Sequence, residues 1–87
     1  MANRRLYEEL AEIERTGKAA ALAMVVRAHG AVPRHTGSKM IVHADGHTLG
    51  SVGGGELEER VRQAALQSLA DGMPRLLHYT FQDPAQG

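Results

Sequence analysis

Gly50-Ser51-Val52-Gly53-Gly54-Gly55-Glu56 is the stretch of this sequence whose residue types point most directly to chemistry. Four glycines in six positions tolerate positive φ, Gly54 included, and let a ligand approach the backbone with no Cβ in the way. If a strand precedes the turn and a helix follows it, unpaired N–H groups and the positive end of the helix dipole converge on one point. Phosphate is the usual occupant of such a point. The glycines serve equally well a plain tight turn that lets helix and sheet pack closely, and composition does not choose between the two.

Known phosphate motifs do not match. A dinucleotide fingerprint needs glycines at i, i+2 and i+5, but Val52 stands two after Gly50 and Glu58 five after Gly53. A Walker A loop needs Lys and Ser/Thr after its last glycine, and Gly55 is followed by Glu56. Glu56, Glu58 and Glu59 would sit in the first helical turn, where they suit the dipole but repel an anion. Help would have to come from Pro33-Arg34-His35-Thr36-Gly37-Ser38-Lys39 upstream. There Arg34 can grip a phosphate bidentately and Lys39 can act as a point charge, although a solvated loop is the plainer account.

Other chemistries are weaker. His43 and His47 are four apart, but Asp45-Gly46 between them makes a turn, so chelation from one helix face does not apply. His29 and His35 have no carboxylate nearby in sequence, and Ser38 and Ser51 have no evident base. No triad or acid/base dyad is visible.

The elements that must position the turn follow from periodicity. Leu6, Leu10 and Ile13 line one face of a helix over Asn3 to Thr16, capped by Asn3 and ended by Gly17, with Arg4–Glu8 and Arg5–Glu9 as surface pairs. Ala19 to Val26 is apolar on both faces and suits a buried central strand. Ala28 to Ser38 is a loop around Pro33. Lys39 to His43 and Thr48 to Val52 form a hairpin through Asp45-Gly46. A second helix carries Leu57, Val61, Ala65 and Leu69 to about Asp71, where Gly72 and Pro74 stop it. Arg75 to Phe81 alternates like a half-exposed strand. The expected class is α+β, a small mixed sheet with two packed helices in the order α-β-β-β-α-β, one domain over 1–81 with 82–87 as a tail or linker.

Bulk properties agree with a small globular domain. The 87 residues are 43% hydrophobic and 23% charged, with net charge zero and no cysteine. The absence of cysteine removes disulfides, a thiol nucleophile and thiolate metal sites. Zero net charge argues against a dedicated nucleic-acid binder. The longest apolar run, Ala19 to Val26, is far short of the roughly 20 residues that span a bilayer. With no signal-peptide pattern either, the reading places the chain in the cytoplasm. From Arg15 to Ala44 the charged residues are Arg15, Lys18, Arg27, Arg34 and Lys39, with no acid among them, a candidate anion surface.

Ala23-Met24-Val25-Val26-Arg27, Gly30-Ala31-Val32-Pro33-Arg34, Gly37-Ser38-Lys39-Met40-Ile41-Val42, Asp45-Gly46 and Gly50 to Glu58 together, in order and spacing, resemble the N-terminal domain of the XdhC/CoxI family. The resemblance implies an accessory factor that binds molybdenum cofactor as cargo. It further implies that the factor recruits a cysteine desulfurase for the cofactor's sulfuration and delivers it to a molybdenum hydroxylase apoenzyme of the xanthine dehydrogenase type. The implied cofactor site is Arg34, Lys39, Ser51, Gly53, Gly54, Gly55 and Glu58, with the glycine turn on a terminal phosphate of charge roughly −2. Many CoxI-type relatives have a cysteine where this chain has Glu56, so the Gly-Gly-Gly form is more similar to the XdhC branch. The family's Rossmann-like C-terminal domain is not found in these residues. Two other readings stand beside this one: a phosphate- or nucleotide-processing enzyme domain, with Glu58 the local acid or base, and a dimerisation module in which two copies pair through exposed sheet edges.

Overall fold

The structure is a computed structural model and describes residues 2–26 and 36–79. Helix α1 spans Ala2–Thr16. It starts ahead of Asn3, the expected cap, and ends where Gly17 turns left-handed at φ 73° and donates its N–H to the Ile13 carbonyl at 2.9 Å. Strands β1 (Ala20–Met24), β2 (Lys39–His43) and β3 (Thr48–Gly50) follow, then helix α2 (Gly55–Asp71). This is an α+β fold with the expected order of elements from the first helix to the second. Gly72, left-handed at φ 73°, closes α2 through its N–H on the Ser68 carbonyl at 2.8 Å. No helix among the described residues is long and apolar enough to cross a membrane.

The sheet runs β1-β2-β3 and is antiparallel at both pairings, with Leu22 opposite Ile41 and Ile41 opposite Leu49. The β2–β3 reversal is held by the Gly46 N–H on the His43 carbonyl and by Asp45, whose carboxylate accepts the His47 N–H at 2.9 Å. That is the turn chemistry the Asp-Gly pair predicts.

The helices cover opposite faces. Met40 and Val42 point to α2 and form a core with Val52 and Ala65, flanked by Ala21, Val25, Leu57, Val61 and Leu66. Period two then turns Lys39, Ile41 and His43 to α1. There Leu6 is buried, Tyr7 lies under the Lys39 ammonium, and Glu9 reaches His43. Met40, Ile41 and Val42 are each no more than 1% exposed, so β2 is the strand buried on both sides. Each such side chain stabilises the fold by about 1.5–3 kcal/mol.

Three expectations are corrected. The buried central strand is β2 and not the segment 19–26, because α1 packs on β2 and β3 and leaves the near face of β1 open, with Leu22 and Met24 about half exposed. Glu9 does not pair with Arg5, since the His43 imidazole lies 3.0 Å from its carboxylate across the interface between α1 and β2. The segment expected as a final strand forms no ladder over its described part, residues 75–79, and the sheet therefore contains no parallel pair among the described residues.

Candidate functional site

The glycine turn leaves β3 at the end of the sheet where Met24 pairs with Lys39. Its first residue is pinned there: the Ser51 N–H donates to the Lys39 carbonyl at 3.1 Å. Gly50 is left-handed at φ 90°, and a Cβ on it would lie 2.6 Å from that same carbonyl oxygen and 3.0 Å from Leu6 Cδ1. Only glycine fits where β3, β2 and α1 meet so closely. Val52 drops into the α2 core at 2% exposure and anchors the middle of the turn.

Gly53 has φ 147°, again glycine territory. Gly54 does not need the positive φ expected of it. It is extended at φ −87°, ψ 171° and serves as the N-cap of α2, its carbonyl accepting the Glu58 N–H at 2.9 Å. No side chain caps this helix. The N–H groups of its first turn are therefore left without helical partners. A Cβ added at Gly54 or Gly55 would meet nothing within 4 Å, so the backbone there faces open space.

Two carboxylates stand in the first turn of α2, Glu56 and Glu58. Both are engaged. Glu58 accepts a hydrogen bond from the Ser51 hydroxyl, whose oxygen also accepts the Gly53 N–H at 3.2 Å. Glu56 accepts one from the Tyr79 hydroxyl at 2.9 Å, and the Arg60 guanidinium lies 5.5 Å from the Tyr79 ring centroid. That bond to Glu56 pushes the Tyr79 phenol up from its ordinary range, because the carboxylate favours the protonated donor. Charge-assisted hydroxyl bonds spread the carboxylate charge and weaken its repulsion of an anion at the helix start.

Ser51, Gly53, Gly54, Gly55 and Glu58 thus form one continuous turn. Lys39 joins it through its backbone carbonyl. Its ammonium lies on the α1 side, donating to the Gly37 carbonyl at 3.0 Å and standing 5.8 Å from the Tyr7 ring centroid. Arg34 lies outside the described residues. Tyr79, read from alternation alone as a strand residue, is the site neighbour that sequence reasoning missed, because its 23-residue reach to Glu56 depends on how the chain returns along α2.

The His43 and His47 rings are 6.3 Å apart, edge to face, and His43 is committed to Glu9. Among the described residues no three His, Asp or Glu side chains come together as a metal-binding group.

Comparison with known proteins adds two findings. Residues 13–80 match the XdhC and CoxI family. The chain is also 38% identical over 73 residues to the uncharacterized protein YqeB of Escherichia coli (strain K12), a match covering 84% of this chain but 13% of that protein. No solved structure matches.

Proposed function

Because the chain belongs to the XdhC and CoxI family, whose members are accessory factors of xanthine dehydrogenase-type enzymes, we propose that it binds molybdenum cofactor and assists its sulfuration and insertion into a molybdenum hydroxylase apoenzyme. The observation that carries the reading is the family match itself, which spans the whole glycine turn and α2. A cysteine desulfurase is the proposed sulfur source, since this chain has no cysteine. The cytoplasm is where such partners would be met. The chain spans little of its long relative, so these partners belong to the proposal and not to the fold.

The residues fit a phosphate-ended cargo in one definite way. The uncapped first turn of α2 offers N–H donors fixed in direction before binding, and Gly54 and Gly55 leave the approach clear. Ser51 holds Glu58 and Tyr79 holds Glu56. With those carboxylates engaged, the dipole end can still attract an anion. Arg34 supplies the bidentate charge in this proposal, and Lys39 fixes the turn through its carbonyl and not through its ammonium.

Anaerobic titration of the 87-residue chain with molybdenum cofactor tests the reading, with stoichiometric binding expected. Gly54→Val suits the observed φ and its Cβ meets nothing within 4 Å, so it should fold yet obstruct the ligand's approach. Arg34→Ala should weaken binding by about 1.5–3 kcal/mol through loss of a charge-assisted hydrogen bond. Folded variants that both bind as tightly as the parent would remove the site assignment and leave family membership alone.

A further inference from the structure

The outer edge of β1 is open among the described residues, and the side chains beside it are apolar. Val25 donates its N–H to the Ser38 carbonyl and accepts the Gly37 N–H, while the Ala19 carbonyl accepts the Ala44 N–H. Alternation along an antiparallel strand then turns the N–H and C=O groups of Ala20, Leu22 and Met24 away from β2, toward the free edge. The strand reads AALAM and has none of the charges, prolines or bulges that usually blunt an edge. On its α1 side Leu22 is 47%, Met24 48% and Val26 65% exposed.

The chain also carries a segment shaped to fill that edge. After Gly72 it doubles back along α2, held by Arg75 on Asp71 at 2.7 Å near one end and by Tyr79 on Glu56 at 2.9 Å near the other. The helix rises about 22 Å from Glu56 to Asp71, and an extended chain from Gly72 to Tyr79 spans about 23 Å. Leu77, His78 and Tyr79 line a groove with Leu57, Arg60 and Ala64 of α2. Leu76 lies outside that groove and is 72% exposed.

From these two features we infer that residues 75–79 dock on the free edge of β1 as a fourth strand, parallel to it. Direction and length agree. α2 begins at the Met24–Lys39 end of the sheet, the segment returns to that end at Tyr79, and β1 runs toward the same end. A 17-residue helix between β3 and the new strand meets the length that a parallel crossover requires. Ala21 and Val25 of β1 already face α2, as Leu77 and Tyr79 do, so an adjacent strand puts Leu76 beside Leu22 and Met24. Docking pairs the open N–H and C=O groups and covers Leu22, Met24 and Leu76 together, without breaking the Tyr79–Glu56 bond. A second copy of the chain is the rival occupant of the same edge.

Amide hydrogen exchange by NMR on the 87-residue chain, at several concentrations, tests the inference. Leu22 and Met24 amides should be protected independently of concentration, with cross-strand NOEs between residues 20–24 and 75–79. Leu76 is 72% exposed, yet Leu76→Asp should lower the Leu22 and Met24 protection on the order of tenfold while Ile41 and Val42 keep theirs. Free exchange of Leu22 and Met24 in the parent, protection that grows with concentration, or indifference to Leu76→Asp would each overturn it. The NOEs need no variant and decide the matter if Leu76→Asp fails to fold.

Discussion

The Ser51 hydroxyl hydrogen-bonds the Glu58 carboxylate, joining the glycine turn to the first turn of the helix it leads into. The same oxygen takes the Gly53 N–H, so one side chain holds both the shape of the turn and the acid nearest to it. Ser51→Ala should lower stability by about 0.5–1.5 kcal/mol in urea denaturation. It should also weaken cofactor binding, because Glu58 is then free to oppose the phosphate. Ser51→Thr keeps the hydroxyl and should restore both; binding undiminished in Ser51→Ala would separate Glu58 from the site.

Gly50 and Gly54 should respond very differently to alanine. At Gly50 the left-handed φ costs about 1–2 kcal/mol, and the clash with the Lys39 carbonyl adds to it. At Gly54 the conformation is ordinary and the space is open, so less than about 1 kcal/mol is expected from a slightly poorer cap. Chemical denaturation of the two variants checks the order, and equal losses would contradict the geometry of the turn.

The two faces of β2 should behave as separate cores. Ile41→Val, on the α1 side, should cost about 0.5–1.5 kcal/mol. Val52→Ala, on the α2 side, should cost more because it removes more carbon from a site only 2% exposed. The double variant should lose the sum within about 0.5 kcal/mol, since the two side chains pack against different helices. Strong coupling in the cycle would mean that the faces are not independent.

Acid should loosen the surface of α2. Arg62 and Gln63 hydrogen bonds hold Glu59 at about 2, and Arg75 with the Met73 N–H holds Asp71 at about 2, against ordinary values of 4.5 and 3.8. Both are depressed in the folded state, so their stabilisation is complete above the ordinary values and is lost as pH falls from about 4 toward about 2. NMR titration of the side-chain carboxyls reads this directly. Arg75→Ala should return Asp71 most of the way to its ordinary range, with the Met73 N–H keeping it somewhat lower.

The sequence by itself determined the local elements and their order. Apolar spacing at Leu6, Leu10 and Ile13 and at Leu57, Val61 and Ala65 marks the helices, glycines end both, and Asp45-Gly46 closes the hairpin. Each of these signals acts within a few residues, where backbone sterics and side-chain period decide the outcome. The turn motif was legible for the same reason. Tertiary structure alone decided the rest. Periodicity says that a helix has an apolar face, but only packing put α1 and α2 on opposite sides of the sheet and made β2 the doubly buried strand. Strand parity then sent the Lys39 ammonium toward Tyr7, on the α1 side, although charge counting groups it with Arg34. Glu9 left its helical neighbour Arg5 for His43 because the packing of α1 on β2 brings the imidazole within 3.0 Å of its carboxylate, a proximity that helical spacing cannot show. Which glycine must be glycine was equally a matter of three dimensions. Gly50 and Gly54 look alike in the sequence, yet one faces a carbonyl oxygen of another strand and the other faces open space, and the difference lies in atoms that are distant along the chain.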